Sequence, residues 1–361
     1  MNQDAADWIN LSLVPGLGPA TYRVLLSSFG LPSQVLAASR SQLECVVGAV
    51  IADAIKRDDR HAAIQATLAW LEKPANYLIT LADTLYPGTL LEIPDPPPII
   101  YVSGDPARLS SPALAIVGSR NSTAQGREIA TQFARTLSRA GLTIVSGLAL
   151  GVDAAAHWGG LDGRGSTVAV VGTGVDLVYP RANDKLAVEV RARGALISEF
   201  PLGTPPIPGN FPRRNRLISG LARGVLVIEA AVSSGSLITA KLAAEQGREV
   251  LAIPGSIHSP LSRGCHALIK QGAKLVESAQ DVLDELRIER REALERPENL
   301  DPNISGSEAD FLRDMGYDPC NIDTLAERSR LTPAAVSAML LQLELEGRVA
   351  SLPGGLFQRI R

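Results

Sequence analysis

Between Leu114 and Glu229, short apolar runs end one after another in small residues, and each is followed by a helix-like segment. Leu114-Ala115-Ile116-Val117 leads into Gly118-Ser119-Arg120, and Thr143-Ile144-Val145-Ser146 into Gly147. Val168-Ala169-Val170-Val171 leads into Gly172-Thr173-Gly174, and the series closes on Val225-Leu226-Val227-Ile228-Glu229. Doubly buried strands of a parallel sheet read this way, and their carboxyl ends deliver a ligand site to one edge. Small side chains leave backbone N–H groups accessible there, and helix N-termini point at the same edge, so both favour a phosphate. Arg120 and the cluster Arg213, Arg214 and Arg216 bring positive charge from distant parts of the chain. The pattern reads as a site for a phosphate backbone rather than for catalysis.

The same alternation extends on both sides. Helical patterns over 126–140, 151–161, 183–193, 236–246 and 262–271 precede or follow strand-like runs at 195–198, 250–253 and 274–276. Repeated βα units imply right-handed crossovers and an α/β, doubly wound, mostly parallel sheet of extended Rossmann type. Upstream, 74–112 is rich in proline, with strand-like Tyr77-Leu78-Ile79-Thr80 and Ile99-Ile100-Tyr101-Val102 between the prolines. These runs are expected to add strands at the sheet edge, where proline is tolerated.

Residues 1–75 read as a helical domain of helix-hairpin-helix (SAM-like) type. One helix leads into Val14-Pro15-Gly16-Leu17-Gly18-Pro19, and a second carries Tyr22, Leu25, Leu26 and Phe29 up to Gly30. A weaker copy has helices at 32–38 and 41–46, a turn at Val47-Gly48-Ala49 and a helix to about Arg60. Such a turn can offer N–H groups to a DNA phosphate. A plain glycine turn between packed helices fits as well, because Arg23 is the one evident phosphate partner.

Residues 76–287 form the Rossmann-like domain, and the charged, proline-containing stretch 288–305 reads as a linker. A last domain over 306–361 has helices near 307–315, 322–329 and 333–346, then a hairpin around Pro353-Gly354-Gly355. That is a winged helix-turn-helix. Its third helix contains no lysine or arginine, so contact with protein is favoured over insertion into a DNA groove.

Bulk charge does not mark a nucleic-acid coat. The net charge is −3, and only 76–287 is positive, with 20 basic and 18 acidic residues. Segment 1–75 has 6 and 7, and 288–361 has 9 and 13. Any such site must therefore be local. Cys45, Cys265 and Cys320 are far apart and form no CxxC pair, so neither a disulfide framework nor a zinc site is indicated. Asp4 and Asp7 precede any apolar run, which speaks against a signal peptide. No apolar run approaches the ~18 residues of a membrane span, so no membrane insertion and a cytoplasmic location are expected.

Gly118-Ser119-Arg120 is not a dinucleotide fingerprint, because GxGxxG and the acidic residue ~20 positions on are missing. There is no GxxxxGK[ST] either, so no cofactor is expected. Asp153 and His157 stand at i, i+4 and read as a carboxylate at a helix N-terminus with a packed histidine, rather than a metal or acid/base pair. Some arginines of the Arg213–Arg216 cluster could pair with Glu199 or Glu229. Ser234-Gly235-Ser236 opens a helix with small hydroxyl residues, another anion seat.

Taken in order, Ile116-Val117-Gly118-Ser119-Arg120, the run from Val145 to His157, Phe211-Pro212-Arg213-Arg214-Asn215-Arg216-Leu217-Ile218-Ser219-Gly220-Leu221, and Ser234-Gly235-Ser236-Leu237-Ile238-Thr239-Ala240 strongly resemble the DprA/Smf family, the DNA-processing proteins of bacterial transformation. Ile253-Pro254-Gly255-Ser256 and Gly264-Cys265-His266-Ala267-Leu268-Ile269 extend the resemblance, which covers the whole chain. It implies a non-enzymatic protein that binds and protects single-stranded DNA and loads RecA onto it for recombination. It also implies DNA contacts at Gly118, Ser119 and Arg120, at Arg181 or Lys185, and at Arg214, Asn215 and Arg216, while Gly147 and the seat Ser234, Gly235 and Ser236 are expected to join them from their place at the same edge. A homodimer through the region of Leu268 and Ile269 is implied, with the RecA surface close by. Two readings of other classes compete. One is a nucleotide-processing N-glycosidic hydrolase, opposed by the missing Pro-Gly-Gly-x-Gly-Thr loop and its glutamate. The other is a winged-helix transcription factor, opposed by the non-basic third helix.

Overall fold

The computed structural model describes residues 2–57, 59–288 and 306–360. The linker expected at 288–305 falls outside the described residues save for its first position.

Five helices come first: α1 (Asn2–Ser12), α2 (Pro19–Phe29), α3 (Pro32–Ala37), α4 (Arg40–Lys56) and α5 (His61–Leu71). Gly48 breaks α4 with φ 77°, so the second hairpin turn narrows to a single left-handed residue. The helix stops at Lys56, earlier than the pattern suggested. Arg60 folds back there and donates to the carbonyls of Ala54 and Ile55 at 2.9 Å each, which satisfies the open helix end. Helix α5 was not legible in the sequence.

The sheet is built from β1 (Asn76–Thr80), β2 (Ile99–Gly104), β3 (Ala113–Val117), β4 (Thr143–Ser146), β5 (Thr167–Val170), β6 (Ala195–Ser198), β7 (Gly224–Val227), β8 (Glu249–Ala252) and β9 (Lys274–Leu275). The strand order is β1-β2-β6-β5-β4-β3-β7-β8-β9. The β1–β2 and β2–β6 pairs are antiparallel and the others parallel. Helices α6 (Gly88–Leu91), α7 (Ala124–Arg139), α8 (Val152–Leu161), α9 (Asp184–Arg193), α10 (Asn210–Leu221), α11 (Gly235–Glu245) and α12 (Arg263–Lys270) connect the strands, and α13 (Ala279–Glu285) follows β9. The prolines of 74–112 lie outside the strands, and β1 takes the edge.

Alternation along the strands sorts the core into two layers. Ala113, Ala115 and Val117 of β3 join Leu217, Ile218 and Ala240 from α10 and α11. Leu114 and Ile116 point the other way, to Ala130, Ala134 and Leu137 of α7 and Val152 and Ala156 of α8. The helical N-terminal region shares its core with the sheet: Trp8, Tyr22, Leu25 and Leu43 cluster with Tyr101 of β2 and Leu196 of β6.

From β3 the chain winds outward through β4, β5 and β6. It then returns to lay β7 on the opposite side of β3 and continues to β8 and β9. The loops after β3 and β7 therefore leave in opposite senses and open a crevice between them, the place where such sheets bind ligands.

The last domain consists of α14 (Gly306–Met315), β10 (Cys320–Asn321), α15 (Ile322–Ser329), α16 (Pro333–Leu345), β11 (Val349–Leu352) and β12 (Leu356–Arg359). It is a winged helix with a three-stranded sheet ordered β10-β12-β11. Thr332 caps α16, accepting from the Ala335 N–H at 3.3 Å, and Pro333 occupies the first turn. The domain rests on the first turn of α7 through Gln358, which donates to Gln125 at 2.7 Å. Among the described residues, no helix is long and apolar enough to cross a membrane.

Candidate nucleic-acid interface

A cleft of about 590 Å³ opens at the switch point between β3 and β7. One wall is the turn Gly118-Ser119-Arg120-Asn121, another the segment Ala231 to Ser236 with Thr239, and the third the start of α10, with Phe211, Arg214 and Asn215. The Ser119 N–H donates to Glu229 O at 2.6 Å and its carbonyl accepts from Val152 N–H at 3.2 Å. The turn after β3 is thus tied both to the end of β7 and to the start of α8. Gly151 has φ 76°, and a Cβ there would lie 2.3 Å from Ser119 O, so only glycine allows this contact.

Arg120 and Arg214 share the cleft and differ in kind. Arg120 is exposed, with its guanidinium 5.9 Å from the Phe211 ring centre and no acidic partner among the described residues. Arg214 is 4% exposed. Its Nη1 donates to Gly147 O at 2.7 Å and to Val170 O. Burial lowers its pKa to about 10, partly offset by Asp153, with Arg120 lowering it further, so it stays protonated at neutral pH. The Nε of Arg214 is buried without a hydrogen-bond partner among the described residues.

Asp153 sits in the first turn of α8 and accepts from the N–H groups of Gly147 at 3.0 Å and Ala149 at 3.4 Å. Burial pushes its carboxyl up, while Arg214 and these donors pull it down. His157 lies one turn on, fully buried. Its Nε2 accepts from Leu148 N–H at 3.3 Å, which leaves Nδ1 to donate to Thr167 Oγ1 at 2.7 Å. Burial, with Arg214 adding to it, depresses its pKa to about 3. The i, i+4 pair therefore clamps the loop after β4.

Arg216 does not join Arg120 and Arg214. It pairs with Glu199 at 2.8 Å and Asp95 at 3.4 Å, away from the cleft. Exposed Arg213 takes the same Glu199 oxygen at 3.1 Å and lies over the Phe200 ring. Glu229 binds no arginine of the cluster; it accepts from Thr123 N–H at 2.8 Å and Thr123 Oγ1 at 2.6 Å, at the start of α7. Arg181 and Lys185 are exposed and lie outside the cleft lining, beyond Tyr179. Arg23 is occupied too, donating to Pro94 O at 2.8 Å and facing Asp95 at 3.8 Å.

Gly118, Ser119, Asn215, Ser234, Gly235 and Ser236 all line the cleft, and Gly147 sits behind Arg214. Ser234 caps α11, accepting from Ser236 N–H at 3.3 Å, and the two hydroxyls meet at 2.7 Å. Sequence reasoning missed the aromatic side of the site. Tyr179 and Phe211 line the cleft with ring centres 5.6 Å apart, across a separation in sequence that no local pattern connects. Leu268 and Ile269 on α12 are half-buried against the sheet core.

The family model described as DNA recombination-mediator protein A matches residues 77–287, and the one described as DprA winged helix domain matches 295–355. Protein Smf of Escherichia coli is 43% identical over 305 residues, 83% of this chain and 81% of the relative. DNA processing protein DprA of Streptococcus pneumoniae is 48% identical over 206 residues, covering 57% of this chain and 73% of the relative. The solved structure of the Streptococcus pneumoniae protein superimposes with a TM-score of 0.69 at 38% identity, over 77% of this chain and 97% of that one. That of DNA processing protein A from Helicobacter pylori, described for its single-stranded DNA binding mode, gives a TM-score of 0.53 at 31% identity, over 58% and 95%.

Proposed function

Because the chain belongs to the DprA/Smf family of DNA-processing proteins, we propose that its switch-point cleft binds the backbone of single-stranded DNA without carrying out chemistry on it. The observation that carries this reading is the pair Arg120 and Arg214. One guanidinium is solvent-facing with no acidic partner among the described residues; the other is buried, charged and fixed by two carbonyls. A phosphate needs such donors, and the small-residue edge from Gly118 to Asn121 and from Ser233 to Ser236 lets a backbone approach. Tyr179 and Phe211 offer ring faces to bases beside it, the stacking that sequence-tolerant single-strand binders use. Arg181 or Lys185 would extend the contact beyond Tyr179. Arg216 takes part through the position of α10 rather than by touching phosphate.

A hydrolase is disfavoured at the same place. Among the described residues the one carboxylate lining the cleft is Asp153, and its Oδ2 accepts from two backbone N–H groups. The bound strand would be protected and handed to RecA inside the cytoplasm, by a dimer joined around Leu268 and Ile269. The non-basic α16 would leave the winged helix a protein-facing part.

The test is a salt titration of fluorescence anisotropy on oligo-dT. Single-strand binding by counterion release gives a slope of roughly −0.7 per phosphate contact. Arg120→Ala is expected to weaken binding to all sequences alike and to flatten that slope by about one contact, with an unchanged melting profile. Unchanged affinity and slope in a folded variant would place the site elsewhere. RecA filament formation on the same oligonucleotide, with and without the protein, tests the loading step separately.

A further inference from the structure

Helix α16 carries apolar residues on two faces. Val336, Leu340 and Leu343 are buried and close the winged-helix core with Phe311, Leu312 and Leu325. On the outer face Ala334, Ala338, Leu341 and Leu345 recur at spacings of four, three and four, the spacing of a helix–helix seam. All four are exposed, Leu341 at 60% and Leu345 at 82%. Such a stripe on a soluble domain marks a contact surface. Nucleic acid does not fit it, because α16 has no basic residue, carries Glu344 in its last turn and is followed by Glu346.

We propose that this face of α16 packs against α16 of a second copy of the chain, antiparallel, about a two-fold axis between Met339 and Leu340. The sequence order of the stripe argues for that occupant. Two small residues stand in the N-terminal half and two large ones in the C-terminal half, with equal spacing. Reversing one helix on the other sets Ala334 against Leu345 of the second copy and Ala338 against Leu341 of the second copy, twice over by symmetry. Large side chains then fill the space over small ones along the whole seam. A parallel pair would set leucine on leucine and leave the alanines facing a gap. Charge favours the same sense. The antiparallel arrangement brings exposed Glu346 alongside the N-terminal end of the other helix, with its positive dipole and the exposed Arg330 just before it. A parallel one would stack Glu344 and Glu346 on their own copies. An acidic peptide is disfavoured by those same carboxylates. This surface is separate from the DNA cleft and from α12, so it stands without either.

A seam of one short helix per copy is smaller than a standard interface, so the contact is weak and depends on concentration. Sedimentation equilibrium of the full chain, without DNA, reads it. The weight-average mass of the wild-type protein is expected to rise between about 10 and 500 µM, as a Kd on the order of 0.1 mM requires. Leu341→Glu changes an exposed residue and leaves the fold intact; it should weaken that step at least about tenfold. Any association through α12 remains as a background that Leu341→Glu does not move. Glu346→Arg and Arg330→Glu should each weaken the step, and the two together should restore it, since in an antiparallel pair the reversed charges meet again. A mass that does not rise, a rise unaffected by Leu341→Glu, or a charge-reversed double variant no better than the single ones would overturn the proposal.

Discussion

One added methyl group tests the arrangement at the base of the cleft. In Gly147→Ala the new Cβ would lie 2.6 Å from Arg214 Nη1 and 2.8 Å from its Cζ and Nη2. Carbon does not approach that closely, so one group must move. Arg214 is not a loose surface end: it is 4% exposed and its Nη1 is held by the carbonyls of Gly147 and Val170. Overpacking a filled site costs about 1–3 kcal/mol. Loosening a hydrogen bond to a charged group costs about 1.5–3 kcal/mol. The two overlap, because shifting the guanidinium relieves the first by incurring the second, so a total of about 3 kcal/mol is expected. For a domain of this size that lowers the melting temperature of the sheet domain by roughly 6–12 °C. With Arg214 off its mark, affinity for oligo-dT should drop about tenfold or more. The decisive assay is a double-mutant cycle read by thermal melts. In an Arg214→Ala background the atoms that the methyl meets are gone, so Gly147→Ala should cost little there, a coupling of about 2 kcal/mol or more. If the methyl costs as much without Arg214 as with it, or less than about 0.5 kcal/mol in the wild-type background, Arg214 is not fixed as argued.

Arg216→Ala should destabilise the fold by about 3 kcal/mol, since it leaves the buried Glu199 with half-exposed Arg213 alone, yet should leave the salt slope of DNA binding unchanged; a flattened slope in a folded variant would return Arg216 to the phosphate. The His157 pKa is depressed from 6.5 to about 3 in the fold, so between those values the unfolded chain takes up the proton and stability falls as pH falls, by at most about 1.4 kcal/mol per pH unit. His157→Gln should remove that component, seen in urea midpoints at pH 7 and pH 5, and an equal loss in both proteins would refute it. Calorimetric titration with NAD, NADP and ATP should give no micromolar binding, because the turn after β3 lacks both the dinucleotide and the P-loop spacing; a clear signal for any of them would change the reading of the cleft.

The sheet was legible because its central strands, β3 to β7, are buried on both faces. Runs such as Leu114 to Val117 and Val225 to Ile228 leave no polar alternative, and small residues mark where each strand stops. The placing of Asp153 and His157 on one face of α8 was equally plain, since four residues on a helix bring two side chains to one face, whereas their hold on the loop after β4 appears only in the structure. The sequence also places Arg120 and the Ser234 turn at the carboxyl edge of the sheet, because the positions next to strand ends do not depend on what the rest of the chain does. Helix α10 was not legible. Its first turn, Asn210-Phe211-Pro212-Arg213, looks like a basic loop, and proline is allowed in a first turn but does not announce one. Once the segment is helical, Arg214 and Arg216 stand about 200° apart around its axis and cannot reach the same phosphate. Which of them entered the cleft was decided by partners far away in sequence. Gly147 and Val170 offer carbonyls on one side of α10, and Glu199 and Asp95 offer carboxylates on the other. The ring contact of Tyr179 with Phe211 has the same origin. Local pattern determines where backbone groups are exposed; the side a charged or aromatic side chain takes depends on which distant groups the closed sheet brings within a few ångströms, and that is set only when the strands are in order.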